Sequence, residues 1–198
     1  MKTERGGTAE SVTTRAALLD AAEQIMREEG YAAVSTRRIA ALAAANSALV
    51  YYYFGNMDKL FVELFRRGAE RSYQRQLEAL RSPQPLWALW ESIHDQSHTA
   101  LTMEFVALAN HRKAIRAEIT ESSRRFRALQ LTAVSDILAG YGAPTRPYTP
   151  GALVLLMSSI SRFLRMEEAF GIDTCHAETI ELIETYLRDL EGERRTGS

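Results

Sequence analysis

One stretch constrains this chain more than any other: Val34 to Leu60, VSTRRIAALAAANSALVYYYFGNMDKL. Ser35 and Asn46 are residue types that start helices. A side-chain oxygen there accepts one of the N–H groups that a first helical turn leaves unpaired. Gly55-Asn56 stops the second segment. The stretch therefore reads as two short helices joined by a tight turn. Val50 and Phe54 are four apart and share one helix face. At about 100° per residue the opposite face carries Ala48, Leu49 and Tyr52, flanked by Tyr51 and Tyr53. Tyrosine brings apolar area with a polar tip, which suits a surface that meets phosphates and base edges. The plainer alternative is that these tyrosines cap a core, although Val50 and Phe54 already supply the core side.

The flanking segments complete a small helical head. Thr13 or Thr14 can cap a first helix with Leu18, Ala22 and Ile25 on its inner face. Gly30 ends that helix, as glycine at a C-terminal cap does. Ser35 places Thr36, Arg37 and Arg38 in the first turn of the next helix, where Ile39, Leu42 and Ala43 face inward. Arginine in a first turn opposes the helix dipole, and a phosphate would offset this. A solvated arginine pair is the plainer alternative.

The segments TRAALLDAAEQIMREEGY, STRRIAALAAANSALVYYYF and DKLFVEL, from about Thr14 to Leu64, resemble the helix-turn-helix head of the TetR family of transcriptional regulators. The resemblance lies in the order and spacing of five features. They are an amphipathic helix, a Gly-aromatic break, a T-x-x-x-I-A helix, a turn, and a recognition helix ending in Tyr-x-x-Phe. Three positions depart from the family pattern. The turn reads Ala43-Ala44-Ala45-Asn46 where glycine is common, Ala48-Leu49 stand where Gly-Thr is frequent, and Met57 stands where a phosphate-holding lysine often follows, with Lys59 two residues on. The resemblance implies double-stranded operator DNA as partner. Thr36, Arg37, Arg38, Ser47, Ala48, Leu49, Tyr51, Tyr52, Tyr53 and Lys59 are its expected contacts. Ser47 sits in the turn that approaches base edges, Leu49 and Tyr52 suit thymine methyls, and Tyr51 and Tyr53 suit phosphates.

Charge fits a local footprint. The chain of 198 residues has a formal net charge of −1, so it lacks the overall basic balance of many nucleic-acid binders. Between Val34 and Leu60, however, Arg37, Arg38 and Lys59 stand against Asp58 alone. The single cysteine, Cys175, excludes a disulfide within the chain and reads as an inert, half-buried thiol in a reducing interior. No signal peptide is evident, and no apolar run reaches the ~18 residues that span a bilayer. A cytoplasmic location and no membrane partner are expected.

Five prolines and long stretches rich in Ala, Leu, Glu and Arg predict an all-α fold. The expected domains are a disordered arm at 1–12, the three-helix helix-turn-helix domain at 13–56, a helical ligand-binding and dimerisation domain at 57–191, and a frayed tail at 192–198. A linking helix runs from Met57 or Asp58 to about Arg81, and Ser82-Pro83-Gln84-Pro85 is a break. Helices follow at Leu86 to about Ala100, Met103–Asn110, Lys113–Gly140, Gly151–Gly171 and Cys175–Glu191, with a proline-rich loop before Pro150. Leu153, Met157, Ile160 and Leu164 form a seam-like stripe, as do Ile180, Ile183, Leu187 and Leu190. Two such helices paired with their symmetry mates make a four-helix homodimer interface, as the resemblance also implies. A single monomeric core is the alternative.

The body is expected to hold a pocket for a small apolar or amphipathic effector, with Trp90, His94, Met103, Phe105, Phe126 and Met157 as candidate lining. Glu91, His94 and His98 share one helix face. Glu-x-x-His is also a di-iron ligand pair, but the second copy that such a site needs is missing. No nucleotide-binding or hydrolase motif occurs. The expectation is a homodimeric repressor without cofactor or metal, not an enzyme. The rival reading is a helical dimeric ligand-binding protein whose head has lost sequence-specific DNA readout.

Overall fold

A computed structural model describes residues 4–94, 96–142 and 148–195, with side chains described except at 4–11 and 96–100. The ends 1–3 and 196–198, the loop core 143–147 and the His98 side chain lie outside the described residues. Among the described residues there is no strand. The elements are α1 Glu4–Glu29, a 3-10 turn Tyr31–Ala33, α2 Thr36–Leu42, α3 Ser47–Phe54, α4 Met57–Ala79, α5 Pro85–His94, α6 Gln96–Ala109, α7 Lys113–Gly140, α8 Pro150–Glu168 and α9 His176–Glu191. The all-α expectation is met. Helix α1 starts at Glu4, so the expected cap at Thr13 or Thr14 lies inside it; once a helix is nucleated, each further residue adds one hydrogen bond.

The chain divides into two compact units, Met1–Ala69 with Ala100–Glu121, and Glu70–Thr99 with Ser122–Ser198. The first is built around α1, whose Leu18, Ala22, Ile25 and Met26 are buried. They meet Ile39 of α2, Val50 and Phe54 of α3, Leu60 and Leu64 of α4, and Leu101, Phe105 and Leu108 of α6. Gly30 takes φ +85°, ψ 165°, a conformation that residues with a Cβ rarely adopt. Leu42, expected to face inward, is exposed. The buried arc of α2 is centred on Ile39, Ala40 and Ala43, and Leu42 lies about 110° from its middle at 100° per residue.

The second unit packs α5 against α8 and α9. Its core holds Leu86, Trp87, Leu89, Trp90, Val134, Leu153, Val154, Met157, Ile183 and Leu187. Thr149 Oγ1 accepts the Ala152 N–H at 3.3 Å and starts α8, with Pro150 at the first helical position, where its missing N–H costs nothing. Just after Gly192, Glu193 and Arg195 are pinned rather than frayed. The Gln84 amide donates to the carbonyls of Glu191 and Glu193 at 3.0 and 2.9 Å and accepts the Arg195 N–H at 2.8 Å. The Glu191 carboxylate accepts the Leu86 and Trp87 N–H groups at 2.9 and 3.0 Å, satisfying donors that the first turn of α5 leaves open.

The stripe expected to meet a second copy is instead this unit's own core. Leu153, Met157, Leu164, Ile183 and Leu187 are buried within one chain. Ile160, Ile180 and Leu190 pack half-buried against the same cluster. A different set is exposed: Leu155, Leu156, Phe163 and Met166 on α8, Phe170 and Ile172 just after it, and Leu182 on α9. Leu156 and Phe163 on α8 and Phe170 just beyond it recur every seven residues, roughly 100° around the helix from the buried stripe. Cys175 is exposed rather than half-buried and takes the left-handed conformation at φ 64°.

Candidate nucleic-acid interface

The candidate surface is carried by α2 and α3, and each is started by its own side-chain cap. Ser35 Oγ accepts the Arg38 N–H at 3.4 Å, and Asn46 Oδ1 accepts the Ala48 N–H at 2.8 Å. The turn between them closes α2 with two backbone bonds, Ala44 N–H to the Ala41 carbonyl at 3.3 Å and Ala45 N–H to the Ala40 carbonyl at 2.8 Å. This is the Schellman arrangement, which places its next residue in the left-handed region. Ala44 occupies that place at φ 50°. The glycine missing from the turn is thus replaced by alanine without a change of motif.

Val50 and Phe54 anchor α3 at 1% and 4% exposure, while Tyr51 and Tyr52 stand out at 57% and 78%. Ser47 and Ala48 are also exposed. Leu49 and Tyr53 are half-buried and pack against the core cluster, so the contact set expected for α3 splits. Tyr51, Tyr52, Ser47 and Ala48 are free to meet a partner, whereas Leu49 and Tyr53 hold the helix down. The Tyr53 ring meets Tyr52 edge-on, with centroids 5.0 Å apart at 78°. It braces the exposed phenol, in an arrangement that aromatic quadrupoles favour. Gly55 ends α3 at φ 74°, its N–H on the Tyr51 carbonyl at 2.8 Å.

The cations are placed unequally. Arg37 and Lys59 are exposed, and no described residue forms an ion pair with either. Lys59 is set by its N–H on Asn56 Oδ1 at 2.9 Å. Thr36 is half-buried. Arg38 forms an ion pair with Glu29 at the end of α1. The hydrogen bond from Arg38 holds the Glu29 carboxyl below its ordinary range, and the same bond raises the guanidinium. Asp58 is paired with Arg112, whose guanidinium lies 5.5 Å from the Phe61 ring centre.

The residues expected to line an effector pocket are divided between the two units. Met103 and Phe105 belong to the first compact unit and Trp90, His94, Phe126 and Met157 to the second. Phe105 is core, 5.2 Å from the Phe65 ring, and Trp90 and Met157 are core of the second unit. Phe126 meets Tyr73 edge-on at 5.6 Å. His94 stacks on Trp90 with centroids 5.0 Å apart. Its buried Nδ1 has no hydrogen-bond partner among the described residues. Burial, and then the nearby Arg165 charge, push its pKa down. Glu91 pairs with Arg194 at 2.5 Å, and no group of three metal-ligating side chains occurs among the described residues.

Residues 18–64 match the family described as bacterial regulatory proteins, tetR family. The HTH-type transcriptional repressor NicS of Pseudomonas putida is 37% identical over 51 residues, which are 26% of this chain and 24% of that protein. The curated match therefore spans about a quarter of the relative's length. Solved structures extend the likeness in fold. A TetR transcription regulator from Haloarcula marismortui aligns with TM-score 0.71 at 17% identity, over 90% of this chain and 98% of that one. A chain from Saccharomonospora viridis, in complex with choline, aligns with TM-score 0.73 at 16% identity, over 90% and 95%. Salmonella enterica GusR aligns with TM-score 0.65 at 18% identity, over 90% and 95%. The head segment 18–64 thus matches the tetR family of bacterial regulatory proteins, in a chain whose all-helical fold is similar to that of solved TetR regulators.

Proposed function

We propose that the protein is a cytoplasmic, homodimeric transcriptional repressor that binds a palindromic operator. The observation that carries this reading is the α3 surface. Tyr52 is the most exposed aromatic ring of the head, on a helix anchored by buried Val50 and Phe54. The surface falls within the matched residues. Two copies would set their α3 helices in successive major grooves, roughly 34–36 Å apart. Exposed Tyr51, Tyr52, Ser47 and Ala48 would meet the DNA, with Arg37 and Lys59 on phosphates.

A second copy would cover the exposed stripe of Leu155, Phe163, Met166 and Phe170 on and just after α8, with Leu182 on α9. Large apolar side chains at this density mark an interaction surface. A small apolar or amphipathic effector would release the operator, acting only through its difference in affinity for the DNA-bound and free states. The similar Saccharomonospora viridis chain holds choline, which supports a small-molecule partner in this fold. The proposed role is regulation, without catalysis.

The test is selection from fragmented genomic DNA with the purified protein at moderate salt. Enrichment of a palindromic site, bound by two copies, is the expected result. Failure to enrich any sequence, with a stable dimer in hand, would favour a ligand-binding protein whose head no longer reads DNA.

A further inference from the structure

We propose that Glu29 holds Arg38 in the free protein, competes with the DNA backbone for it, and so keeps affinity for non-operator DNA low. The inference rests on the DNA-binding reading above and concerns one guanidinium. Arg38 and Glu29 join the start of α2 to the end of α1 through a direct ion pair. Their side chains are 44% and 46% exposed. A pair so open to water is weak and exchangeable. Carboxylate and phosphate present the same oxygen geometry to a guanidinium, so either can occupy it.

The neighbourhood gives the competition its sign. Glu29, Glu28, Gln24, Arg38 and Leu42 share the wall of a cleft of about 310 Å³ between α1 and α2. Glu28 is exposed and accepts from the Gln24 amide at 3.1 Å. A phosphate that approaches Arg38 therefore meets two carboxylates on the same face and must displace one of them. Arg37 and Lys59 have no such partner among the described residues, so of these three cations beside the α3 surface Arg38 is the one whose charge is withheld. Phosphates carry no sequence information, so withholding one cation lowers affinity for every duplex.

The experiment uses the full chain, a random-sequence DNA duplex and a salt series, with Glu29→Gln, Arg38→Gln and the double variant. Glu29→Ala repeats the first with a different side chain. One recovered phosphate contact should steepen the plot of log affinity against log salt by about 0.9. It should tighten binding about fivefold at physiological salt. Arg38→Gln alone should give no tightening, and in the Glu29→Gln background it should remove the whole gain. The inference is overturned if both Glu29 variants bind no tighter than the parent, or if the gain persists without Arg38, which would make it a general charge effect. If the parent protein retains no duplex even at low salt, the DNA-binding reading falls and takes this inference with it. If the parent binds and only the gain is missing, that reading stands.

Discussion

The Glu104 carboxylate accepts the backbone N–H of Tyr31 at 2.7 Å. The same oxygen lies 3.3 Å from where a Cβ on Gly30 would stand. Helix α6 therefore holds the corner at which α1 gives way to the α2–α3 pair, using an acceptor for which the missing side chain of Gly30 leaves room. Removing it leaves a half-buried N–H without its acceptor. Glu104→Ala should lower stability by about 1–2 kcal/mol, whereas Glu104→Gln, which keeps an acceptor oxygen, should lose less. Urea midpoints of the two variants check this. Equal losses would mean that the carboxylate's charge matters and its acceptor geometry does not.

On α3 exposure and anchoring divide along one short helix, and two substitutions separate them. Tyr52→Ala removes the ring that is 78% exposed. It should weaken retention of the selected duplex tenfold or more while moving stability by no more than about 0.5 kcal/mol, as surface changes do. Leu49→Ala should do the reverse in kind, costing about 1 kcal/mol or more, because Leu49 packs on the core. Measuring duplex affinity and urea midpoint together decides it. If Tyr52→Ala binds normally, that phenol is outside the contact surface.

Much of this head could be read from residues alone, because local rules govern it. Ser35 and Asn46 cap as their side chains dictate, and Val50 and Phe54 bury as their spacing dictates. The body was harder. Helix α8 carries two apolar stripes, and periodicity does not say which one faces the chain's own core. The regular stripe through Leu153 and Leu164 was expected at a partner and is internal, while Leu156, Phe163 and Phe170 are exposed. Their seven-residue spacing was the available signal. The effector residues are hard to read for another reason. Large apolar residues such as Trp90 and Phe105 look alike in sequence whether they line a pocket or fill a core. The Arg38–Glu29 pair was invisible because it depends on how α1 and α2 pack.

Ala44 is the clearest local strain in the head. It holds φ 50°, a region that costs an L-residue with a Cβ roughly 1–2 kcal/mol. Glycine would remove that cost and give back part of the gain in backbone entropy, roughly 0.5–1 kcal/mol. Ala44→Gly should therefore stabilise the head by several tenths of a kcal/mol up to about 1. A higher urea midpoint with unchanged duplex affinity is expected. A lower midpoint would show that the Schellman turn tolerates alanine without strain.

Phe163 and Leu164 are neighbours on α8 with opposite fates, at 54% and 3% exposure. Phe163→Glu should leave the fold intact and yield a monomer by light scattering, since a charge buried at a new interface lacks a partner. Leu164→Ala should lower stability by about 2–5 kcal/mol, as core truncations do. A Phe163→Glu variant that still elutes as a dimer would place the contact between copies elsewhere.

His94 gives the second unit a dependence on pH whose sign is set by its surroundings. Burial against Trp90 and the Arg165 charge push its pKa down, and Glu168 and Glu184 oppose this more weakly. The unfolded chain therefore takes up the proton first, at the ordinary histidine value of about 6.5. The stability that comes from keeping the ring neutral is fully present above that value. It declines as pH falls toward the lower folded value, because the unfolded state binds more protons throughout that window. Urea midpoints at about pH 7.5 and 5.5 should drop more in the parent protein than in His94→Phe, which keeps a ring on Trp90 and removes the titration. Parallel drops in the two proteins would mean that the folded chain admits a proton at His94 as readily as the unfolded chain does, and that its stacked position leaves the ring solvated.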